Sequence, residues 1–293
     1  MEFKKVAIIG VGLIGGSFAK ALKKHSLSEE IIGYGRSEKS LKKALDLGLI
    51  DGYRLNFSEN MKDFDLVVLA TPVGVIVSII KKIIPFLRPD TIVFDAGSVK
   101  REIVKEVESF IPPHITFIGG HPIAGNENSG PEAAKDDLFS GHKMIFTPTR
   151  NTKRKELEKL INLWKKIGCE IVIMDKDRHD EIFAQVSHLP HVIAYCLVNS
   201  IFDYFGSSDI LTNFSAGGLK DYTRIAQSNP EMWRDILLMN KEYILKALDS
   251  FEEHLLMLKE SLFNNDGEKL LKEFEKSREI KIQFKNYQMS KSK

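Results

Sequence analysis

Over the first 174 residues, short apolar runs alternate with stretches in which apolar positions recur every three or four residues. The runs "KVAIIG", "IIGYG", "DLVVLAT", "TIVFDAG", "ITFIGG", "KMIFTPT" and "EIVIMD" predict buried strands, since continuous β-branched stretches of this length suit a sheet covered on both faces. The segments between them, from "IGGSFAKALKKH" to "KRKELEKLINLWKKIG", carry the helical period. In "SEKSLKKALDLG" Ser37 is placed as an N-cap and Gly48 as a stop. Strands alternating with crossover helices predict a doubly wound, mostly parallel α/β sheet over residues 1–174. One stretch resists this pattern. "GGHPIAGNENSG", Gly119–Gly130, is too rich in glycine and proline for a helix or a clean strand and is expected to be a constrained loop.

After Met174 the strand pattern stops, and residues 175–293 are expected to form an all-α second domain. "DRHDEIFAQVSHLPHVIAYCLVNSIFDYF" reads as one long helix kinked at Pro190, followed by a glycine-bearing break at "NFSAGGLKD". A second long helix starts at Asn229 as N-cap with Pro230 in the first helical position and runs on through "ILLMNKEYILKALDSFEEHLLMLKESL". A last helix leads into a polar tail, "YQMSKSK", expected to fray. So much apolar helical face predicts a covering partner, most economically a second copy of the chain.

Composition narrows the function classes. Over 293 residues, 43% hydrophobic and 28% charged content is that of a soluble globular protein, and a net charge of +2 gives no footprint for nucleic acid or an anionic membrane. The most apolar run is interrupted by Thr71, Pro72 and Gly74, so no membrane span is expected. The N-terminus passes directly into a strand pattern, which predicts no signal peptide. Cys169 and Cys196 have no motif spacing and read as free thiols of a cytoplasmic protein.

The first candidate chemistry is Gly10-x-Gly12-x-x-Gly15, directly after a strand and opening a helix. Such glycines permit a tight turn, close approach of backbone to a pyrophosphate, and close packing of helix on strand. The helix start, with Leu13 and Ile14, offers free N–H groups to phosphate. A Rossmann-like dinucleotide-binding domain follows, with NAD(P)+ as cofactor. Where an acidic residue would hold the ribose of NAD, this chain has Gly35, Arg36 and Ser37. Arg36 suits the extra phosphate of NADP+; it is equally readable as a solvated arginine, with Glu38 serving NAD.

Other polar groups fall at the carboxyl ends of predicted strands, where open α/β sheets bind ligands. Thr71 and Pro72 would line the nicotinamide side. Ser98, in "DAGSVK", either caps the next helix or faces the crevice. His121 sits in the glycine-rich stretch, a placement that favours a functional role. In the helical part, "SHLPH" holds Ser187, His188 and His191, and "GGLKDYTRIA" holds Gly217, Asp221 and Arg224. Asp221 and Arg224 are either a surface ion pair or a carboxylate anchor. His188 and His191 lack a carboxylate or cysteine at ligand spacing, so no metal is expected.

Together "GLIGGSFA", "DAGSVK", "GGHPIAGNENSG", "SHLPH" and "GGLKDYTRIAQSNPEMWRDI" resemble the prephenate dehydrogenases, a family that includes cyclohexadienyl and arogenate dehydrogenases of tyrosine biosynthesis. The resemblance covers nearly the whole chain, and no regulatory or chorismate mutase segment is expected. It implies oxidative decarboxylation of prephenate, or of arogenate, with hydride passing to NAD(P)+ and with a homodimer formed through the C-terminal helices. It gives His121 the role of base and makes Ser98 its companion on the substrate hydroxyl. It places Arg224, oriented by Asp221, on a substrate carboxylate, with His191, Ser187 and Gly217 near the substrate. Glu127 is implied at the entrance. Trp233 is implied to reach a site across the dimer, or else serves as a core aromatic. A histidine at position 191 favours prephenate, because a second cation would oppose the amino group of arogenate. Another helical-dimer dehydrogenase and a non-catalytic nucleotide-sensing dimer are the rival readings; Lys220 is available to the former, but its surroundings do not follow the pattern of β-hydroxyacid dehydrogenases.

Overall fold

All seven apolar runs become strands of one sheet in the computed structural model, which describes residues 2–125 and 128–291, with the backbone alone for 211, 212 and 284–291. The strands are β1 (Phe3–Ile9), β2 (Ser28–Tyr34), β3 (Gly52–Arg54), β4 (Leu66–Leu69), β5 (Ile92–Asp95), β6 (Thr116–Pro122), β7 (Lys143–Thr147) and β8 (Glu170–Ile173). Their order is β3-β2-β1-β4-β5-β6-β7-β8. Every pair is parallel except β6 with β7. The order reverses between β1 and β4, which opens a crevice at the carboxyl ends of the strands.

Alternate residues of β1, β2, β4, β5 and β6 feed two apolar clusters. Val6, Ile8, Leu66 and Val68 join Phe18, Phe139 and Trp164 on one face; Ala7, Ile9, Val67 and Leu69 join Ile76, Ile80, Val104 and Trp233 on the other. The first face is covered by α1 (Leu13–Lys24), α2 (Glu38–Asp46) and α5 (Arg154–Ile167), the second by α3 (Val73–Ile83) and α4 (Arg101–Glu108). Ser37 caps α2, accepting from Ser40 N–H at 3.2 Å, and Gly48 takes φ +69 just beyond it. Residues after β8 form α6 (Lys176–Phe183), α7 (Leu189–Phe205), α8 (Asp209–Phe214), α9 (Gly217–Thr223), α10 (Pro230–Met239), α11 (Lys241–Phe263) and α12 (Gly267–Lys291). The chain forms two compact units, Met1–Ile244 and Leu245–Lys293. The second is the rest of α11 with α12, and there Leu255, Leu256, Phe263, Phe274 and Ile280 stand exposed.

Several expectations are corrected. The three-residue edge strand β3 has no apolar run to announce it. Gly119 to Pro122 is strand rather than loop, paired antiparallel to β7 with His121 opposite Ile145. The glycines are needed for packing: a Cβ on Gly120 would overlap the Phe94 ring and lie 2.5 Å from Met144 Cε, and one on Gly119 would lie 2.6 Å from Thr147 Oγ1. The long helix expected here is divided just before Pro190, which lies in the first turn of α7: residues Ala184–His188 widen into a π turn, with Leu189 N–H donating to Ala184 O, and α7 follows directly. The expected glycine-bearing break is shorter, with α8 and α9 on either side of Ser215 and Ala216. Asn229 and Pro230 start α10 as expected, but that helix ends at Asn240, whose buried side chain bonds elsewhere. The polar tail continues α12 to Lys291.

Replacing Gly120 with alanine is expected to destabilise the protein by roughly 1–3 kcal/mol or more through overpacking. Gly125, with nothing within 4 Å of an added Cβ, should tolerate alanine within about 0.5 kcal/mol. Urea-unfolding midpoints of the two variants measure the difference.

Candidate active site

The turn between β1 and α1 has the shape a dinucleotide requires. Gly10 has φ +94, and a Cβ there would lie 2.6 Å from Ala70 O. A Cβ on Gly15 would overlap Gly10 O, so helix and turn approach as only glycine allows. Gly12, the N-cap of α1, faces open space. That helix has no acidic residue in its first turn and no side chain on its cap, which leaves the amides of Leu13 and Ile14 to an anion. These residues fit a pyrophosphate-bearing cofactor. Arg36 is exposed just past β2, and Ser37, though a cap acceptor, keeps its hydroxyl proton to donate. A depression beside Ser37 is lined by Lys39, Lys42 and Lys43 together with Asp46 and Glu132. Thr71 Oγ1, past the end of β4, is buried with no partner, and Pro72 is the N-cap of α3.

At the same edge of the sheet His121 ends a chain of buried polar groups. Its Nδ1 lies 2.9 Å from His179 Nε2, and His179 Nδ1 lies 2.7 Å from Asp180 Oδ1. Asp180 also accepts from the backbone N–H groups of Lys100 at 2.8 Å and Arg101 at 2.9 Å, the head of α4. His179, Asp180, Lys100 and Asp95 have no exposed surface, and the Lys100 ammonium pairs with Asp95. Phe183 closes the cluster, 4.8 Å from the His121 ring and 4.5 Å from that of His179. Burial, then the neighbouring His179, Lys100 and His188, hold the His121 imidazole well below its usual pKa. Burial lowers His179 too, against the pull of Asp180, and brings His188 down to about 4.

His188 and His191 do not face a common ligand. His188 Nδ1 meets Asn240 Nδ2 at 3.1 Å, while the same amide donates to Asp180 O at 2.9 Å. His191 donates Nδ1–H to Ser187 O at 2.9 Å and stacks on Trp233 with centroids 3.7 Å apart. Trp233 is thus buried against histidines of its own chain. Burial lowers the His191 pKa against the hydrogen bond to Ser187 O, with a smaller push from the charge of Arg224, whose 3-10 turn packs on α7. Arg224 follows α9 as the first residue of a 3-10 turn, Asp221 is exposed on α9, and Gly217, its first residue, has nothing within 4 Å of an added Cβ. Ser98 is half-buried past β5 and does not cap α4, which has no side-chain cap. Glu127 lies outside the described residues. Among the described residues, no group of three or more His, Cys, Asp and Glu side chains is arranged to hold a metal ion, and no helix is long and apolar enough to cross a membrane.

Comparison with known proteins decides the family. The nucleotide-binding domain of prephenate dehydrogenase matches residues 18–173, and its dimerization domain matches residues 175–276. The chain belongs to the prephenate dehydrogenase family. It is 36% identical to the cyclohexadienyl dehydrogenase of Zymomonas mobilis over 97% of both chains. It is 34% identical to the prephenate dehydrogenase of Bacillus subtilis, over 94% of this chain and 75% of that one. The crystal structure of prephenate dehydrogenase from Aquifex aeolicus with hydroxyphenyl propionate and NAD+ superposes with a TM-score of 0.88 and 39% identity, covering 96% of this chain and 98% of that one. In this member of the family, a nucleotide-binding sheet is followed by a helical domain of the dimerisation type. His179, Asp180, Asp95, Lys100 and Asn240 are site neighbours that motif reading passed over. The segment "RHDE" reads from the sequence as charged, solvated helix, so nothing local marks His179 and Asp180 as buried.

The histidine cluster sets an acid limit on folding. His121, His179, His188 and His191 all have lowered folded-state pKa values, so below about pH 6.5 the unfolded chain binds protons that the folded chain refuses. Their contribution is complete above that pH and is lost as pH falls toward the folded values; for His188, a drop from 6.5 to about 4 amounts to roughly 3 kcal/mol. The melting temperature is expected to decline between pH 6.5 and 4.5, before most carboxylates titrate. A flat profile across that window would contradict the buried, neutral cluster.

Proposed function

We propose that the crevice at the carboxyl ends of β1, β4, β5 and β6 oxidatively decarboxylates prephenate to 4-hydroxyphenylpyruvate and carbon dioxide. The observation that carries this reading is a half-buried His121 near the carboxyl end of β6, its pKa held well below the usual value, at the side of the sheet that also holds the dinucleotide turn. NAD(P)+ bound at the Gly10–Gly15 turn supplies the two-electron acceptor for the hydride leaving the hydroxyl-bearing ring carbon. His121 takes the hydroxyl proton in the same step, a task that requires a neutral imidazole at the operating pH. The ring carboxylate departs as carbon dioxide, and the electrons of its bond complete the aromatic ring. Prephenate dianion and oxidised cofactor give a monoanionic product, carbon dioxide and reduced cofactor, so the proton returns from His121 to the phenolic oxygen.

Arg224, with Asp221 beside it in sequence, anchors a substrate carboxylate. Gly217 lets the substrate approach the backbone. His191, held by the Ser187 carbonyl and the Trp233 ring, shapes the other side, and Ser98 adds a hydroxyl near the reacting carbon. His191 is uncharged at neutral pH, so preference for prephenate over arogenate rests on the family likeness and not on a second cation. In cofactor choice Arg36, supported by the lysines beside Ser37, favours NADP+. Residues 1–174 serve as the dinucleotide-binding domain and 175–293 as the substrate and dimerisation domain of a cytoplasmic homodimer. The exposed apolar side chains of the C-terminal helices, Phe202, Tyr204, Leu255 and Phe263 among them, support that partner.

Initial rates of NAD(P)H formation across prephenate and arogenate, each with NAD+ and NADP+, test the assignment. Absence of turnover in all four combinations would sink it. His121→Asn is expected to lower kcat by about 10²–10⁴ while changing KM little. Arg224→Gln should instead raise KM for prephenate by about tenfold or more with a smaller effect on kcat. Arg36→Ala should raise KM for NADP+ at least several-fold and leave that for NAD+ near its starting value; equal effects on both would remove Arg36 from cofactor selection.

A further inference from the structure

The oxygens of Asp180 meet two backbone N–H groups and His179 Nδ1. A carboxylate only accepts, so Nδ1 is the protonated nitrogen of His179. In the neutral ring Nε2 is then an acceptor, and its partner 2.9 Å away, His121 Nδ1, must donate. His121 is left with its lone pair on Nε2. The direction of each hydrogen bond is thus set by the head of α4, three groups away from the base.

We propose that His179, anchored by Asp180, is a positioning residue that fixes the tautomer of His121 and takes up its Nδ1 proton while the substrate proton resides on Nε2. The step balances without any further reactant. The substrate O–H bond breaks as the His121 Nε2–H bond forms; the His121 Nδ1–H bond breaks as the His179 Nε2–H bond forms. His121 is again neutral, and the positive charge rests on His179 beside the Asp180 carboxylate. Both transfers reverse when the proton returns to the phenolic oxygen. The groups facing this pair explain why charge should move off His121. Lys100 from α4 opposes a cation on either ring and His188 from the π turn opposes one on His121, but only His179 has carboxylates, Asp180 on α6 and Asp95 on β5, that favour one. The inference rests on the reading of His121 as the base.

The experiment is single-turnover NAD(P)H formation from prephenate by the whole enzyme, in mixtures of light and heavy water, with His179→Gln and His179→Leu. Glutamine can accept the His121 Nδ1 hydrogen bond but cannot take the proton; leucine can do neither. The wild-type rate is expected to curve with deuterium fraction, the mark of two moving protons. His179→Gln should be about tenfold slower with a linear dependence, and His179→Leu about 10³-fold slower, within the span of general-base effects, both with KM for prephenate within about twofold. A linear wild-type dependence overturns the transfer to His179. A rate for His179→Leu within twofold of wild type, or equal losses in the two variants at matched melting temperatures, overturns the tautomer role. His121→Asn run alongside keeps the two readings apart: full activity there removes the base itself, whereas its loss beside unaffected His179 variants removes only the relay.

Discussion

A single buried carboxylate, that of Asp180, orders much of this site. It has no exposed surface, and a charge taken out of water persists only where hydrogen bonds replace its hydration. Here the replacement comes from two amides at the positive end of α4 and from an imidazole. Moving Asp180 would strand both amides and the carboxylate at once, so the first turn of α4 and the start of the helical region are held in one geometry. Asn240 extends the clamp, binding the Asp180 carbonyl and His188 with one amide group at the junction of α10 and α11. The orientation of His179, and through it of His121, is a consequence.

The same cluster is a poor way to stabilise a protein. Lys100 and Asp95 form an ion pair without solvent exposure, and the desolvation of such a pair commonly offsets its attraction. Burial pushes the lysine down and the aspartate up, against the help each gives the other. Stability comes from the two apolar layers on the sheet, where each fully buried Phe, Ile or Leu contributes roughly 1.5–3 kcal/mol. What the buried charges supply is an electrostatic setting: the Lys100 charge adds to the burial and the neighbouring His179 that hold the His121 imidazole neutral. Local rules of burial are broken where the chemistry needs them broken.

The legibility of the sequence follows the range of the forces involved. Strands and crossover helices are visible because apolar periodicity is local, and so are the Ser37 and Asn229 caps and the Gly10–Gly15 turn. His121, His191, Trp233 and Arg224 stand out as residue types in unusual company, although their roles come from family likeness. Gly119–Pro122 misleads because glycine and proline argue against a strand one residue at a time, while the sheet asks for glycine to admit Phe94 and Met144. Asn240 looks like helix interior until the groups it bonds are known. His179 and Asp180 lie in a charged stretch that reads as solvated helix, and Lys100 reads as the first polar residue of another. Their burial is set by segments about 60 to 80 residues away in sequence, and no local pattern encodes it.

The two halves of the site are built to different tolerances, and the reaction explains why. Proton transfer needs heavy atoms within hydrogen-bond reach and in line, so small displacements of the base are costly. His121, the base we propose, sits on a strand paired with a neighbour on each side, its register to Ile145 fixed by glycines that allow no slack and followed by a proline. Holding a carboxylate is more forgiving, because the attraction of a guanidinium falls off slowly with distance and its fork offers several donors. Arg224 is exposed and follows a seven-residue helix, a mount compatible with the carboxylate anchor proposed for it. The glycines around His121 therefore confer rigidity, not freedom: each missing side chain lets a neighbour close in until the imidazole has one place to be.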